Sequence, residues 1–564
     1  MSTLTTQSPP PTSAAPGATH DPDHVSTGML GGAVRTVSGF TLLSRFAGLA
    51  RDVITARLLG DDALGSAFRA AYALPNLFRR LFGEGALSAA FLPEYTLLRR
   101  DDPTTADELA TLVVRLLTLV TSAVTLVLIA GLCLAILVLP HDADRVLSFQ
   151  LMALMLPMMP AVCLTAVLGG MLQAHARFAA PAAAPILLNA FQIAAGLAFY
   201  LGYFHGRENA AYAIGVAAVL ASVAQVVWSW WALRGRVRWL KAGAAATTHG
   251  RAVLRRFVPA MIGLGTLQLN TMMDMLIAMW PNWVGLTVLG YAVTLDEKSN
   301  AVLSYTQTIY QFPLGVFGIA VATAVFPMLS RSADRPHEFV ANLRRGLRLS
   351  LFIGLPASVG LILVRHDMLE VIFGGKGRHS FSHDGVLRAA AVLAGFAPGV
   401  WAYSLNHVWT RAFYAKGDTT TPMRIAMLIV VFNFTLNITL IWWLREAGLA
   451  WATATAATVQ CVILGVLCHT RLETPAMDRA TWRAFARVIL ASASMGVCVW
   501  LAGWLLPATE WWVSWWGHAT RCAVQVMVGA AVYAAAALLW RAPEIRWLLR
   551  RSPGGGGPAN MSFE

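Results

Sequence analysis

The sequence predicts an all-α, polytopic membrane protein with about fourteen transmembrane helices. Three observations carry that prediction. Of the 564 residues, 57% are hydrophobic and only 13% are charged, against roughly 25% charged in a soluble domain. Apolar stretches recur from residue 33 to residue 540, each near the ~20 residues a helix needs to cross the hydrocarbon core. These stretches are continuous, whereas a spanning β-strand shows about ten residues of alternating polarity, so helices and not a closed barrel satisfy the backbone in lipid.

In chain order, charged and Pro/Gly-rich punctuation delimits segments 33–58, 63–95, 110–139, 146–174, 182–204, 210–233, 253–280, 297–328, 347–364, 385–413, 422–444, 447–469, 482–506 and 519–540. The second contains Pro75, whose missing N–H and bulky ring predict a kink or break there. Residues 1–28 are rich in Ser, Thr and Pro and lack an apolar h-region, so they read as a disordered tail and not as a signal peptide. Gly554 to Gly557 mark a second tail, 541–564.

Lys and Arg concentrate in alternate connections: Arg99 and Arg100, Arg234 to Arg256, Arg331 to Arg348, Arg411 to Arg424, Arg471 to Arg487 and Arg541 to Arg551. The positive-inside rule makes these cytoplasmic, with both termini inside a bacterial inner membrane. The opposite connections hold Asp61 and Asp62, His141 to Asp144 and the tryptophan-rich Trp511 to Trp516, which reads as an interfacial aromatic belt. The net charge of +14 is therefore explained by topology, and with no zinc spacing or clustered basic domain, nucleic acid is excluded as a partner. The six cysteines lie in or beside apolar segments without paired spacing and read as packing residues. No nucleophile with an evident base stands out, His407 reads as packed or hydrogen-bonded, and the chain is not expected to be an enzyme.

A weak internal repeat joins Ala176-Arg177-Phe178-Ala179-Ala180-Pro181, followed by Pro185 and Asn189, to Phe413-Tyr414-Ala415-Lys416-Gly417-Asp418, followed by Pro422 and Asn433. Both copies fall between the fourth and fifth helices of a six-helix block. The resulting scheme is an N-terminal lobe 29–233, a basic linker 234–251, a C-terminal lobe 252–470 and two further helices in 471–540, with the cargo path between the lobes.

The chemistry lies in Ser44-Arg45-Phe46-Ala47-Gly48-Leu49-Ala50-Arg51-Asp52 and Pro75-Asn76-Leu77-Phe78-Arg79-Arg80-Leu81-Phe82-Gly83-Glu84-Gly85-Ala86. An arginine at the centre of a membrane helix costs about 2.5–3.5 kcal/mol on insertion scales, so several in two adjacent helices need partners or a wet cavity. On an ideal helix Arg45 and Arg51 stand about 9 Å apart in height and about 120° apart in direction; Gly48 permits the bend that would bring both to one cavity. A planar guanidinium donates paired hydrogen bonds to phosphate or carboxylate, which points to an anionic cargo. The alternative is that Arg51 pairs with Asp52 or Asp274 and that Arg79 and Arg80 snorkel to an interface.

Segment 44–90 resembles the signature of the MurJ/MviN family, the lipid II flippases of the multidrug/oligosaccharidyl-lipid/polysaccharide exporter superfamily. Further matching stretches are Tyr310-Gln311-Phe312-Pro313-Leu314-Gly315-Val316-Phe317-Gly318-Ile319-Ala320 with Phe326-Pro327 and Leu329-Ser330, and Ala447-Gly448-Leu449-Ala450. The resemblance implies two six-helix lobes around a cationic cavity, with a groove for a polyprenyl tail on the last two helices. It implies that Arg45, Arg51 and Arg79, with Glu84, serve a cargo of lipid II, the undecaprenyl-pyrophosphate-linked disaccharide-pentapeptide, flipped by alternating access for cell-wall synthesis. Membrane lipids and cell-wall synthesis enzymes are the implied partners, and sodium or the membrane potential the driving force. The family's sodium-ligand positions map onto Asp274, Asn433, Asn437 and Thr453; oxygen ligands suit a hard cation, while interhelical hydrogen bonding also accounts for the two asparagines.

Two positions depart from the family's pattern. Ser66 stands where an acidic residue is usual, and Thr308 where the eighth helix usually carries an arginine. Arg69 is the candidate that restores the missing charge. Export of another polyprenyl-pyrophosphate-linked saccharide and a non-transporting scaffold role are the competing readings; a multidrug cation exporter would prefer an acidic cavity.

Overall fold

The computed structural model describes residues 27–549 except 82–86, 204, 289, 376–379, 473–474 and 507–513. Among these, eleven spans are long and apolar enough to cross a membrane. The three expected segments that fall short of this are α1 (Thr27–Leu59), the pair α2 (Ala63–Phe78) and α3 (Leu87–Asp101), and α9 (Ala244–Ala278). Arg45, Arg51 and Asp52 interrupt α1, and Gln268, Asn270 and Asp274 interrupt α9. These are the helices that line the polar interior described below, so their deficit in apolarity is the site itself.

The remaining spans of the first half are α4 (Pro103–Val138), α5 (Ala143–Met155) with α6 (Met158–Ala174), α7 (Ala179–Tyr200) and α8 (Arg207–Leu233). A short α10 (Trp280–Trp283) and a hairpin of β1 (Thr287–Val288) and β2 (Tyr291–Ala292) follow α9. Then come α11 (Ser299–Pro313), continued by a π-turn at Leu314–Gly318 into α12 (Ile319–Arg331), α13 (Pro336–Ile372), and α14 (His383–Phe396), continued by a 3₁₀ turn at Ala397–Gly399 into α15 (Val400–Ala415). The chain closes with α16 (Thr420–Leu444), α17 (Glu446–Arg471), α18 (Arg479–Leu505), α19 (Trp515–Leu539) and α20 (Pro543–Leu549).

Proline explains the interruptions. Pro157 separates α5 from α6, Pro313 precedes the π-turn and Pro398 lies in the 3₁₀ turn, each removing an N–H from the ladder. In the second predicted segment Pro75 stays buried inside α2, which runs through it to Phe78 and passes into a π-turn at residues 79–81. Helix starts carry side-chain caps: Asp62, Asp102, Asp142, Ser382, Asp478 and Ser514 each accept a backbone N–H from the first turn. Residues 244–251 of the expected linker are the first turns of α9, and 543–549 of the expected C-terminal tail are helical. The expected N-terminal tail lies outside the described residues up to residue 26.

Helices α1 to α8 pack into one lobe and α11 to α17 into another. Helix α9 belongs to both, lying on α3 and α4 early in its length and on α16 further on. Helices α18 and α19 pack on each other and on α13. Close approach within the second lobe depends on Gly395: a Cβ there would stand 2.8 Å from the Ala450 Cβ and 3.1 Å from the Ala447 carbonyl of α17. A Gly395→Leu substitution should cost about 1–3 kcal/mol through overpacking, read as a lower thermal midpoint of the detergent-purified protein. Gly131→Ala, at an exposed position with no atom within 4 Å of the added Cβ, should leave that midpoint unchanged.

Candidate functional site

The interior polar site is built around Asp52, one residue beyond Arg51 on α1. The Arg51 guanidinium donates to Asp52 Oδ1 from Nε at 3.1 Å and Nη2 at 2.9 Å, and from Nη1 to the Tyr72 hydroxyl at 2.7 Å and Asn189 Oδ1 at 3.0 Å. Arg69 of α2 donates to the same Asp52 oxygen at 3.2 Å. Its other amino group reaches across to α11, to the Ser304 carbonyl at 3.0 Å and to Thr308 Oγ1 at 3.5 Å, and the guanidinium lies 4.6 Å from the Tyr305 ring centre. One carboxylate thus holds two arginines in an interior where unpaired charge is costly. The pairing of Arg51 with Asp52 that the alternative reading called for is present; Asp274 takes no part in it.

Arg45 is different. Among the described residues it has no hydrogen-bond or ion-pair partner, and its guanidinium rests on Gly315 at the π-turn of the other lobe, where an added Cβ would overlap it. Phe46 beside it meets Phe312 edge-on, with ring centres 5.4 Å apart. Helix α1 is helical through Gly48, which leaves a wall free of side chain: a Cβ there would lie 3.7 Å from Asn189 Nδ2. Arg45 and Arg51, flanking that wall, line two cavities at once.

The first cavity, about 300 Å³, lies between the lobes, with Asp52, Arg69 and Arg80 on one side and Gln268, Asp274 and Thr308 on the other. The second, about 710 Å³, lies inside the first lobe and takes in Asn76, Arg79, Asn189 and Gln225. Arg79 donates to Asn76 Oδ1 at 2.8 Å, and Arg80 reaches Gln268 Oε1 at 3.4 Å. So Arg45, Arg51 and Arg69 face the space between the lobes, Arg79 faces the adjoining chamber, and Glu84 lies outside the described residues. Together the cavities offer several guanidinium groups to one polyanionic group.

In the second lobe Asp274, Asn437 and Thr453 come together from α9, α16 and α17, with Asn433 one turn before Asn437 on α16, all buried. Asn437 Nδ2 donates to Asp274 Oδ1 at 2.7 Å and Thr453 Oγ1 to Oδ2 at 3.5 Å. Asn437 Oδ1 and both amide atoms of Asn433 have no partner among the described residues. Hydrogen bonding therefore joins three of the four and leaves the amide oxygens of Asn433 and Asn437 without a donor; oxygen donors of this kind fit a hard cation.

At the end of the bundle where α1 finishes, near Gly60, the lobes are joined. Ser66, fully buried, donates to the Glu297 carbonyl at 2.5 Å and accepts the Ala301 N–H at 3.0 Å, capping α11 from the opposite lobe; its own carbonyl accepts Asn300 Nδ2 at 2.8 Å. Asp61 accepts the Ser382 N–H at 2.9 Å and hydroxyl at 2.6 Å, with Lys298 Nζ at 3.6 Å. Arg57 donates to the last carbonyls of α13, those of Val371 and Ile372.

Sequence reasoning passed over Asp52 as a site residue and missed Tyr72, Asn189 and Tyr305. Asn189 alone had a signal, its place in the internal repeat. Tyr72 stands among apolar neighbours and meets Arg51 only where α2 packs on α1, and Tyr305 meets Arg69 only where α2 packs on α11.

The sequence profile of the family described as lipid II flippase MurJ matches residues 55–515. A probable lipid II flippase MurJ of Rhizobium tropici is 32% identical, over 82% of this chain and 85% of the relative. One from Vibrio cholerae is 29% identical over 89% and 94%. A solved lipid II flippase MurJ in an inward closed conformation superposes with a TM-score of 0.73 over 91% of this chain and 99% of that one, at 22% identity. With its arginine cavity set between two helical lobes and this span of likeness, the chain belongs to the lipid II flippase MurJ family.

Proposed function

We propose that this protein flips lipid II from the cytoplasmic to the periplasmic leaflet of the inner membrane by alternating access, for cell-wall synthesis. The observation that carries the reading is Arg45, an arginine without a partner among the described residues at the junction of two cavities already lined by Arg51, Arg69, Arg79 and Arg80. A pyrophosphate offers more acceptor oxygens than a single carboxylate, so the headgroup competes with Asp52 for Arg51 and Arg69 while Arg45 supplies a charge that needs no displacement. Arg69, reaching Thr308, supplies to the second lobe's wall the cation that this position lacks.

The Gly60 end is taken as periplasmic, because the basic connections lie at the other end. The closed contacts of Asp61, Ser66 and Arg57 then describe the state that receives cargo from the cytoplasmic side. Rocking of the lobes would release those contacts and present the headgroup outward, while the polyprenyl tail stays in lipid along α13, α18 and α19, where Val359, Leu363, Gly496 and Trp500 line an apolar groove. The membrane potential can supply direction, about 2.3 kcal/mol per charge per 100 mV. Sodium is assigned to the Asp274 cluster, held by the Asp274 carboxylate with Asn433, Asn437 and Thr453 oxygens.

Arg45→Ala, Arg51→Ala and Arg79→Ala should each insert normally yet lower lipid II exposure at the outer leaflet at least about ten-fold, the equivalent of one charge-assisted hydrogen bond. If all three rescue cells depleted of their own flippase as well as the parent does, the mechanism is wrong; rescue with export of a different pyrophosphate-linked saccharide instead would reassign the cargo. Arg69→Gln with full transport would remove Arg69 from the cargo path. For the ion, sodium but not choline should raise the thermal midpoint of the purified protein, and Asp274→Asn should abolish that rise; equal stabilisation of both proteins would exclude the site.

A further inference from the structure

Away from the central site, α13 and α19 meet near the Gly60 end in a cluster of His366, Asp367 and His518. We propose that these three residues bind one first-row divalent metal ion of the zinc type, joining α19 to α13. Their donor atoms all lie within 4.8 Å of one another. His518 Nδ1 is 2.8 Å from Asp367 Oδ1. Two ligands on a tetrahedral zinc, each about 2.0–2.1 Å from the metal, stand roughly 3.3–3.4 Å apart. The pair therefore has to open by only about half an ångström to admit the ion.

A histidine–aspartate hydrogen bond explains two of the three residues and leaves His366 unaccounted for, although its ring centre lies 6.3 Å from that of His518. Two imidazoles and one carboxylate form a donor set that selects zinc, cobalt, nickel or copper over magnesium and calcium. It leaves a fourth position for water. The side chains of His518 and Asp367 keep 16% and 11% of their surface exposed, enough for an ion to reach them from solvent. Arg521 Nε lies 3.9 Å from the other Asp367 oxygen, too far for a hydrogen bond, and Arg521 is fixed by a 2.8 Å bond to the Gly503 carbonyl. One turn further along α13, Trp515 Nε1 bonds the Val371 carbonyl at 3.0 Å, so the two helices are already in register for a shared ligand set.

The ion acts as a clasp between the last helix pair and the end of α13. The test uses the full-length protein in detergent, stripped with chelator and freed of any affinity tag, titrated with cobalt(II) chloride and separately with zinc chloride. The expected result is a visible tetrahedral cobalt band that saturates at one equivalent, is bleached by zinc, and accompanies a rise in thermal midpoint. His366→Gln, which leaves the His518–Asp367 bond in place, should weaken binding at least about ten-fold, the loss that even an outer partner of a metal ligand produces; His518→Ala should abolish the band. No band and no stabilisation in the parent protein, or an equal response from His366→Gln, would overturn the proposal.

Discussion

Charge in hydrocarbon must be neutralised or solvated, and the interior of this protein is organised around one carboxylate that does so. Asp52 receives Arg51 from its own helix and Arg69 from the next, and through them it ties α1 to α2, to α7 by way of Asn189 and to α11 by way of Ser304. Removing one partner of such a buried arrangement leaves uncompensated charge, a loss of about 3–5 kcal/mol. The arrangement therefore holds only while some anion is present. In the proposed function a cargo bearing phosphates satisfies the same arginines, so the requirement that keeps them paired also favours anions.

The two lobes repeat this logic with opposite sign. In the first, α1 packs on α7, and Arg51 meets Asn189. In the second, α9 packs on α16, and Asp274 meets Asn437. In each lobe an asparagine amide from a partner helix steadies a charged residue of the interior. The amide suits both because it offers an oxygen to a guanidinium and an N–H to a carboxylate. The first lobe is thereby left presenting cations, and the second an anion, with two unpaired amide oxygens on α16.

Much of this was legible in the sequence because the bilayer imposes a simple code. The run lengths and punctuation located the spans, and the arginines of α1 and the asparagines of α16 stood out against apolar neighbours. Boundaries failed where a helix extends beyond the apolar run, as α13 does from Pro336, and Pro75 leaves α2 helical to Phe78. Within the linker expected at 234–251, residues 244–251 are the first turns of α9, anchored by the Glu94 carboxylate 2.7 Å from His249 Nδ1. Asp52 was readable only as a neighbour of Arg51. Its reach to Arg69 depends on how α1 meets α2, a tertiary fact that no local pattern encodes.

Ser66 and Asp61 act together at the junction of the lobes. Three helix ends of the second lobe are finished by side chains of the first: α11 by the Ser66 hydroxyl, α13 by Arg57, and the capping serine of α14 by Asp61. A cap contributes about 1 kcal/mol, and a carboxylate near a helix N-terminus adds roughly 0.3–1 kcal/mol over a neutral group. Ser66 holds α11 as a neutral cap, and Asp61, five residues earlier, brings a negative charge to the same junction at the start of α14. Each of these contacts can be exchanged for water when the lobes part, which an apolar seam could not do without a large cost in exposed area. A closure made of a few such caps is strong enough to select one state and weak enough to be undone by the binding energy of a single headgroup.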